Sequence, residues 1–195
     1  MFVLTIDQRG SRRDVDRVGS ALDRLRDVPT VRPFMRTAGD ELQGVLDDAG
    51  VVVDVALACV ELGRWSVGIG IGTVETPLPR ETRAGRGPAF ESARVAVERA
   101  KHAPGRIAVA GSDAAAAAAE NADIALALVA SLVARRSPEG HEAVAHQRAG
   151  HSQAETARRL GISKQAVSQR LQTAGWSLEA AGRTLAERLL EDADT

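Results

Sequence analysis

One cysteine, Cys59, stands in the whole 195-residue chain, so no disulfide can form within it. It falls in the apolar stretch VVVDVALACVEL, where a packed small hydrophobe is expected rather than a nucleophile. Without a second thiol, any metal site would depend on the histidines. His141, His146 and His151 lie five apart, which turns each about 140° from the last on a helix, so zinc is not expected. Charge of one sign is missing too. Lys and Arg total 25 against 26 Asp and Glu, so contact with a polyanion must come from a local patch. No continuous apolar run reads as long enough to span a bilayer. The sequence also opens on the strand-like FVLTID rather than on a charged leader and signal core. A cytoplasmic protein with no membrane partner is the expectation. With 44% hydrophobic and 26% charged residues, the composition is that of a globular chain with one medium domain or two small ones.

What is present is concentrated in residues 150 to 176, GHSQAETARRLGISKQAVSQRLQTAGW. Ser152 and Glu155 have the spacing of a capping box, and Ala154, Ala157 and Leu160 follow at helical intervals. Gly161 stands where a helix ends in positive φ, and Ser163 caps a second helix with Ala166, Val167 and Leu171 as its buried stripe. Lys164, Gln165, Ser168, Gln169 and Gln172 then point outward, a face of donors and acceptors without an acid. Two helices joined through a glycine turn, with such a face on the second, read as a helix-turn-helix for the major groove of double-stranded DNA. Residues 145 to 173 carry Arg148, Arg158, Arg159, Lys164 and Arg170 against Glu155 alone, between acidic flanks. That patch is the footprint of phosphate contact.

The remainder reads as an α+β unit. FVLTID (2–7) is a buried strand, and a helix over 13–27 follows with Val15, Val18, Leu22 and Leu25 on one face. VRPFMR (31–36) and ELQGVL (41–46) flank the turn Thr37-Ala38-Gly39-Asp40 as a hairpin. A helix over 47–63 precedes WSVGIGIGTV (65–74), a strand whose glycines imply a bulge or a close backbone approach. Strand, helix, strand, strand, helix, strand is the ferredoxin-like, palm-type βαββαβ plan. The loop TPLPRETRAGRGP carries Arg80, Arg83 and Arg86, as a phosphate or nucleic-acid clamp or simply as a solvated loop. A helix over 89–102, a short strand RIAVA and an alanine-rich helix over 113–136 complete this unit. The segment IALALVASLVA is too apolar for a free linker and should pack on the sheet or on a second copy of itself. A helix over 139–149 then opens an all-α unit, giving domains of 1–136 and 137–195.

Two acids mark strand tips. Asp7 ends the first strand and Asp40 lies at the hairpin turn, beside Glu41. In a split-βαβ sheet the first and third strands are neighbours, so these carboxylates converge, as a Mg²⁺ seat or with Asp40 merely a turn residue. Arg9, Gly10, Ser11 and Arg12 could form an anion nest before the next helix. The pieces TID (5–7), RTAGDELQG (36–44), WSVGIGIG (65–72) and GRGPAFESAR (85–94) occur in an order that resembles the SatD-like family. More remotely, they resemble the palm domain of class III nucleotidyl cyclases and GGDEF enzymes. That resemblance implies metal-binding Asp7 and Asp40, a base-reading Arg36 in the place of a lysine, and a nucleotide-contacting Arg94. It also places Phe90 where the cyclases carry an asparagine, a departure that supports nucleotide binding better than turnover.

Two functions follow as expectations. The first is a DNA-binding transcriptional regulator, acting as a homodimer, whose palm-like domain senses a ligand such as a nucleotide or mediates assembly. Gln153, Arg158 and Arg159 would hold the DNA backbone, and Ser163, Lys164, Gln165, Ser168, Gln169 and Arg170 would contact bases or flanking phosphates. Dimerisation would use the apolar helix 123–134 or the terminal helix 178–191, with Leu178, Ala181, Leu185 and Leu189 on one face. The alternative is a metal-dependent nucleotidyl cyclase or other phosphoryl-transfer enzyme, using Mg²⁺ with a nucleotide, fused to a regulatory helix-turn-helix.

Overall fold

The computed structural model describes the chain apart from Asp14, Asp113, Ala114 and the side chain of Arg12. The architecture is α+β, built on one mixed five-stranded sheet. Its strands are β1 (Phe2–Gln8), β2 (Arg32–Arg36), β3 (Glu41–Leu46), β4 (Trp65–Ile71) and β5 (Ile107–Gly111), in the order β2-β3-β1-β4-β5. Each neighbouring pair among the first four is antiparallel, and β5 joins the edge parallel to β4. The register sets Asp7 opposite Glu41 on one side and opposite Ser66 on the other.

Both sheet faces are covered, which is why β4 (WSVGIGI) is buried at every position instead of alternating. Against one face lie α1 (Val18–Leu25), α2 (Ala49–Glu61), α4 (Ala116–Ala134) and α8 (Trp176–Ala193). Phe2, Leu4, Ile6, Leu42, Leu46, Ile69 and Ile107 point into this larger core. α3 (Pro88–Ala100) covers the other face, packing Ala89, Phe90 and Ala93 on Val3 and Val45. Gly68 and Gly70 let it come close, because a Cβ on Gly70 would stand 2.1 Å from the Ala89 carbonyl oxygen. The glycines expected to mark a bulge or a close approach in this strand mark a close approach.

Several expected boundaries shift, each for a local reason. The first helix begins at Val18, not near residue 13, and Val15 is 65% exposed. The buried Gln8 side chain donates to the Val15 carbonyl and accepts from the Arg17 N–H, both at 2.8 Å, holding those residues out of helical geometry. Asp16 then accepts from the Val18 N–H at the helix start. The strand expected over 65–74 stops at Ile71, since Gly72 takes φ of 152°. Residues 113 and 114 of the alanine-rich helix lie outside the described residues, as does residue 14 of the first.

α4 corrects a second expectation. Its 19 residues are long and apolar enough to cross a bilayer by length and composition, although no apolar run had read so. Here it is a core helix, with Ala119, Ala122, Leu126, Val129, Ala130 and Val133 buried against the sheet and α8. Small residues make that helix pair close: a Cβ on Gly182 would reach the Val129 side chain at 2.5 Å. The pair leaves Ile124, Leu128, Leu178 and Leu185 exposed.

The division expected near residue 136 falls between α4 and α5 (Pro138–Arg148), but packing crosses it. α8 starts with Trp176 against a small cluster formed by α5, α6 (Gln153–Leu160) and α7 (Lys164–Thr173). It ends with Ala186, Leu190 and Ala193 in the larger core.

Candidate nucleic-acid interface

The small cluster comprises Ala143, Val144, Ala157, Val167, Leu171 and Ala174, with Ile162 and Trp176 at its edge. It is small enough that end-capping counts heavily in its stability. The Ser152 hydroxyl accepts from the Glu155 N–H at 3.2 Å while the Glu155 carboxylate accepts from the Ser152 N–H at 2.7 Å, a complete capping box. These bonds hold the Glu155 carboxyl below its ordinary range. Gly161 closes α6 in the left-handed region (φ 65°), and the Ser163 hydroxyl accepts from the Ala166 N–H to start α7. Ser152→Ala should lower stability by about 1 kcal/mol, read as a fall in the urea midpoint at unchanged slope. Of the expected apolar positions, Ala157, Val167 and Leu171 are buried, Leu160 and Ala166 are half-buried and Ala154 is exposed; Thr156 is buried instead, with its hydroxyl accepting from Gln147.

α7 presents Lys164, Gln165, Ser168, Gln169 and Gln172 to solvent. Arg158 and Arg159 are exposed on α6, and Gln153 stands partly exposed at its first position. The one acid on these two helices is Glu155, which the cap occupies. Two bases of the expected patch are committed elsewhere. Arg170 lies 3.5 Å from Glu142 of α5, and Arg148 donates to both Glu61 and Glu179. Arg158, Arg159 and Lys164, by contrast, make no side-chain hydrogen bond or ion pair among the described residues.

A buried ionic network, which sequence reasoning missed, joins this cluster to the sheet unit. Glu179 of α8 accepts from Arg136 and Arg148 at 2.7 Å each and from Arg183 at 2.8 Å. The side chains of Arg136 and Glu179 are 0% and 1% exposed. Burial alone would push Glu179 up, but the bonds from Arg183, Arg136 and Arg148 outweigh it and take the carboxyl down to about 2. Arg136 also donates twice to the Ala174 carbonyl. On α2, Glu61 binds Arg148 at 2.8 Å and His141 at 2.9 Å, and Asp54 binds Arg183 at 2.6 Å. Burial raises Glu61, yet the bonds from Arg148 and His141 bring it below its ordinary value. The partners are up to 129 residues apart, so no local spacing announces them.

The acids of β1 and the hairpin do converge at one strand end. Gln8 N–H donates to the Asp40 carbonyl at 3.1 Å, and Asp7 faces Glu41. The cation beside Asp7 is the Lys101 ammonium, at 3.7 Å. Burial raises the Asp7 carboxyl; Lys101 partly offsets this, while Asp40, Glu41 and Glu98 push it further up. Mg²⁺ is commonly held by one or two carboxylates, with waters and substrate phosphates completing its shell. Here a lysine already stands beside one of the two candidate carboxylates, and the described residues hold no cluster of three or more metal-ligating acids, histidines or cysteines. Arg36 is tied to the Gly39 carbonyl and Asp16. Arg94 is exposed on α3, seven residues (about two turns) before Lys101, and Phe90 is buried against Val3 and Val45. In the 79–87 loop, the buried Thr82 hydroxyl donates to the Pro33 carbonyl and Arg83 binds Glu81, so the loop is pinned on β2.

No family model, curated protein or solved structure matches the chain.

Proposed function

We propose that the protein binds double-stranded DNA as a transcriptional regulator, with α6 and α7 as a helix-turn-helix and α7 as the reading helix. The observation that carries this reading is the acid-free outer face of α7, on a helix pair fixed by two serine caps and a left-handed Gly161. Gln165 and Gln169 suit bidentate contact with adenine, and Arg158, Arg159 and Lys164 suit phosphates. Ser163 and Ser168 supply shorter contacts, Gln153 a backbone contact at the first turn, and Arg170 braces α7 on α5. The antiparallel order β2-β3-β1-β4 supports a ferredoxin-like, palm-type plan for the sheet unit, extended by β5. That unit senses a ligand or assembles the protein. The apolar surface of Ile124, Leu128, Leu178 and Leu185 is suited to a homodimer, which a single small head needs for useful affinity.

The enzymatic alternative is less favoured, because Lys101 stands beside Asp7 and Phe90 is buried.

Selection from randomised duplexes at low salt should enrich one sequence. Gln169→Ala should then relax a single base position at a cost of about 1–3 kcal/mol. Arg158→Ala should weaken all sequences alike and lower the salt slope by about one. Failure to enrich any sequence, together with no salt-dependent binding, would overturn this reading.

A further inference from the structure

Between α1 and α2 lies a cavity of about 580 Å³, within the roughly 300–1,000 Å³ range of small-molecule sites. Its walls are mainly apolar, among them Leu25, Val28, Val55, Leu62 and Trp65. Cys59 also lines it, and burial pushes that thiol up to about 12, so the wall is chemically inert. Three charged residues border the cavity: Arg24, Asp54 and Glu61. Both acids are already ion-paired from outside it, Asp54 with Arg183 and Glu61 with Arg148. Arg24 is exposed and has no hydrogen-bond or ion-pair partner among the described residues. An apolar chamber of this size with one uncommitted guanidinium is complementary to a molecule with an apolar body and one anionic end.

We infer that this cavity binds a small amphipathic carboxylate, with its chain among the apolar walls and its headgroup on Arg24. The guanidinium fork matches the two carboxylate oxygens, and a hydrogen bond between charged groups is the stronger kind. The site shares α2 with the ionic network. Residues 55, 59 and 62 line the cavity, while Asp54 pairs with Arg183 of α8 and Glu61 with Arg148 of α5, the helices that pack around the candidate DNA-reading pair. A bound ligand therefore bears on a helix that is tied by ion pairs to α5 and α8.

The chain has two tryptophans and no tyrosine, so Trp176→Phe leaves Trp65 as the sole strong fluorophore. Titrating that protein with decanoate, without DNA, should give a saturable change in emission. Decanol should bind more weakly, and decylamine more weakly still. Arg24→Glu, at an exposed position, should weaken decanoate by about tenfold or more and leave decanol unchanged. Ala58→Phe, which narrows the mouth, should weaken both. The proposal is overturned by the absence of a saturable response to decanoate, by decylamine binding as tightly as decanoate, or by indifference to Arg24→Glu. Because no DNA is present, these outcomes are independent of whether α7 reads DNA.

Discussion

Glu179→Gln should lower the thermal midpoint by roughly 6–20 °C at neutral pH, the largest fall expected from any single polar substitution in the chain. Three guanidinium groups converge on this carboxylate, and Arg136 is wholly buried. Glutamine keeps the shape but removes the negative charge, leaving a buried cation without its counter-charge. Breaking a buried pair in this way costs about 3–5 kcal/mol, and a chain of this length shifts by about 2–4 °C per kcal/mol. The pH dependence gives a second, independent reading. Folding depresses the Glu179 carboxyl from an ordinary 4.5 to about 2. Its stabilisation is therefore fully present above about 4.5 and is lost as pH falls toward 2. Wild type should lose stability across that window more steeply than Glu179→Gln, so the two curves converge in acid. Parallel curves would show that folding leaves the Glu179 carboxyl at its ordinary value.

The second large effect belongs to a glycine. Gly70→Val should leave little soluble protein, and Gly70→Ala alone should cost more than the roughly 1–3 kcal/mol of ordinary overpacking. The atoms that a new Cβ would strike are backbone, at 2.1 Å for the Ala89 carbonyl oxygen and 2.3 Å for the Ala93 nitrogen, so no side chain can swing aside. Relief requires α3 to lift from the sheet, opening the contact of Ala89, Phe90 and Ala93 with Val3 and Val45. Gly19→Ala is the control: it lies in α1 with nothing within 4 Å, and should be neutral or stabilising by up to about 1 kcal/mol. Urea midpoints of the three proteins test this directly. A Gly70→Ala protein as stable as Gly19→Ala would mean that α3 has room to move.

What could be read in advance was what local chemistry writes into short windows. Ser152, Glu155, Gly161 and Ser163 mark helix ends through their own backbone needs, and the helices stop where those residues stand. Alternation and glycine spacing located β3 and β4 to within a few residues, and the hairpin brought Asp7 to Asp40. What escaped was long-range. Nothing near Lys101 in sequence says that it reaches Asp7, because the contact depends on how far α3 runs along β1. Arg148 and Arg170 counted as open bases on composition, and only tertiary packing turned Glu61, Glu179 and Glu142 toward them. Val15 fitted a helical stripe on spacing, and a side chain from β1 overrode it.

On the proposed DNA-binding reading, the short, tethered junction between α4 and α5 bears on how far apart two half-sites can lie. Only residues 135–137 separate the two helices, and Arg136 is locked to Glu179 and the Ala174 carbonyl. A head mounted this way works as a ruler and not as a ball on a string. In the proposed dimer, the two α7 helices keep one separation, set by the subunit contact. Binding to half-sites about one helical turn apart should be lost when roughly 5 bp are inserted, because that places the second half-site on the opposite side of the duplex.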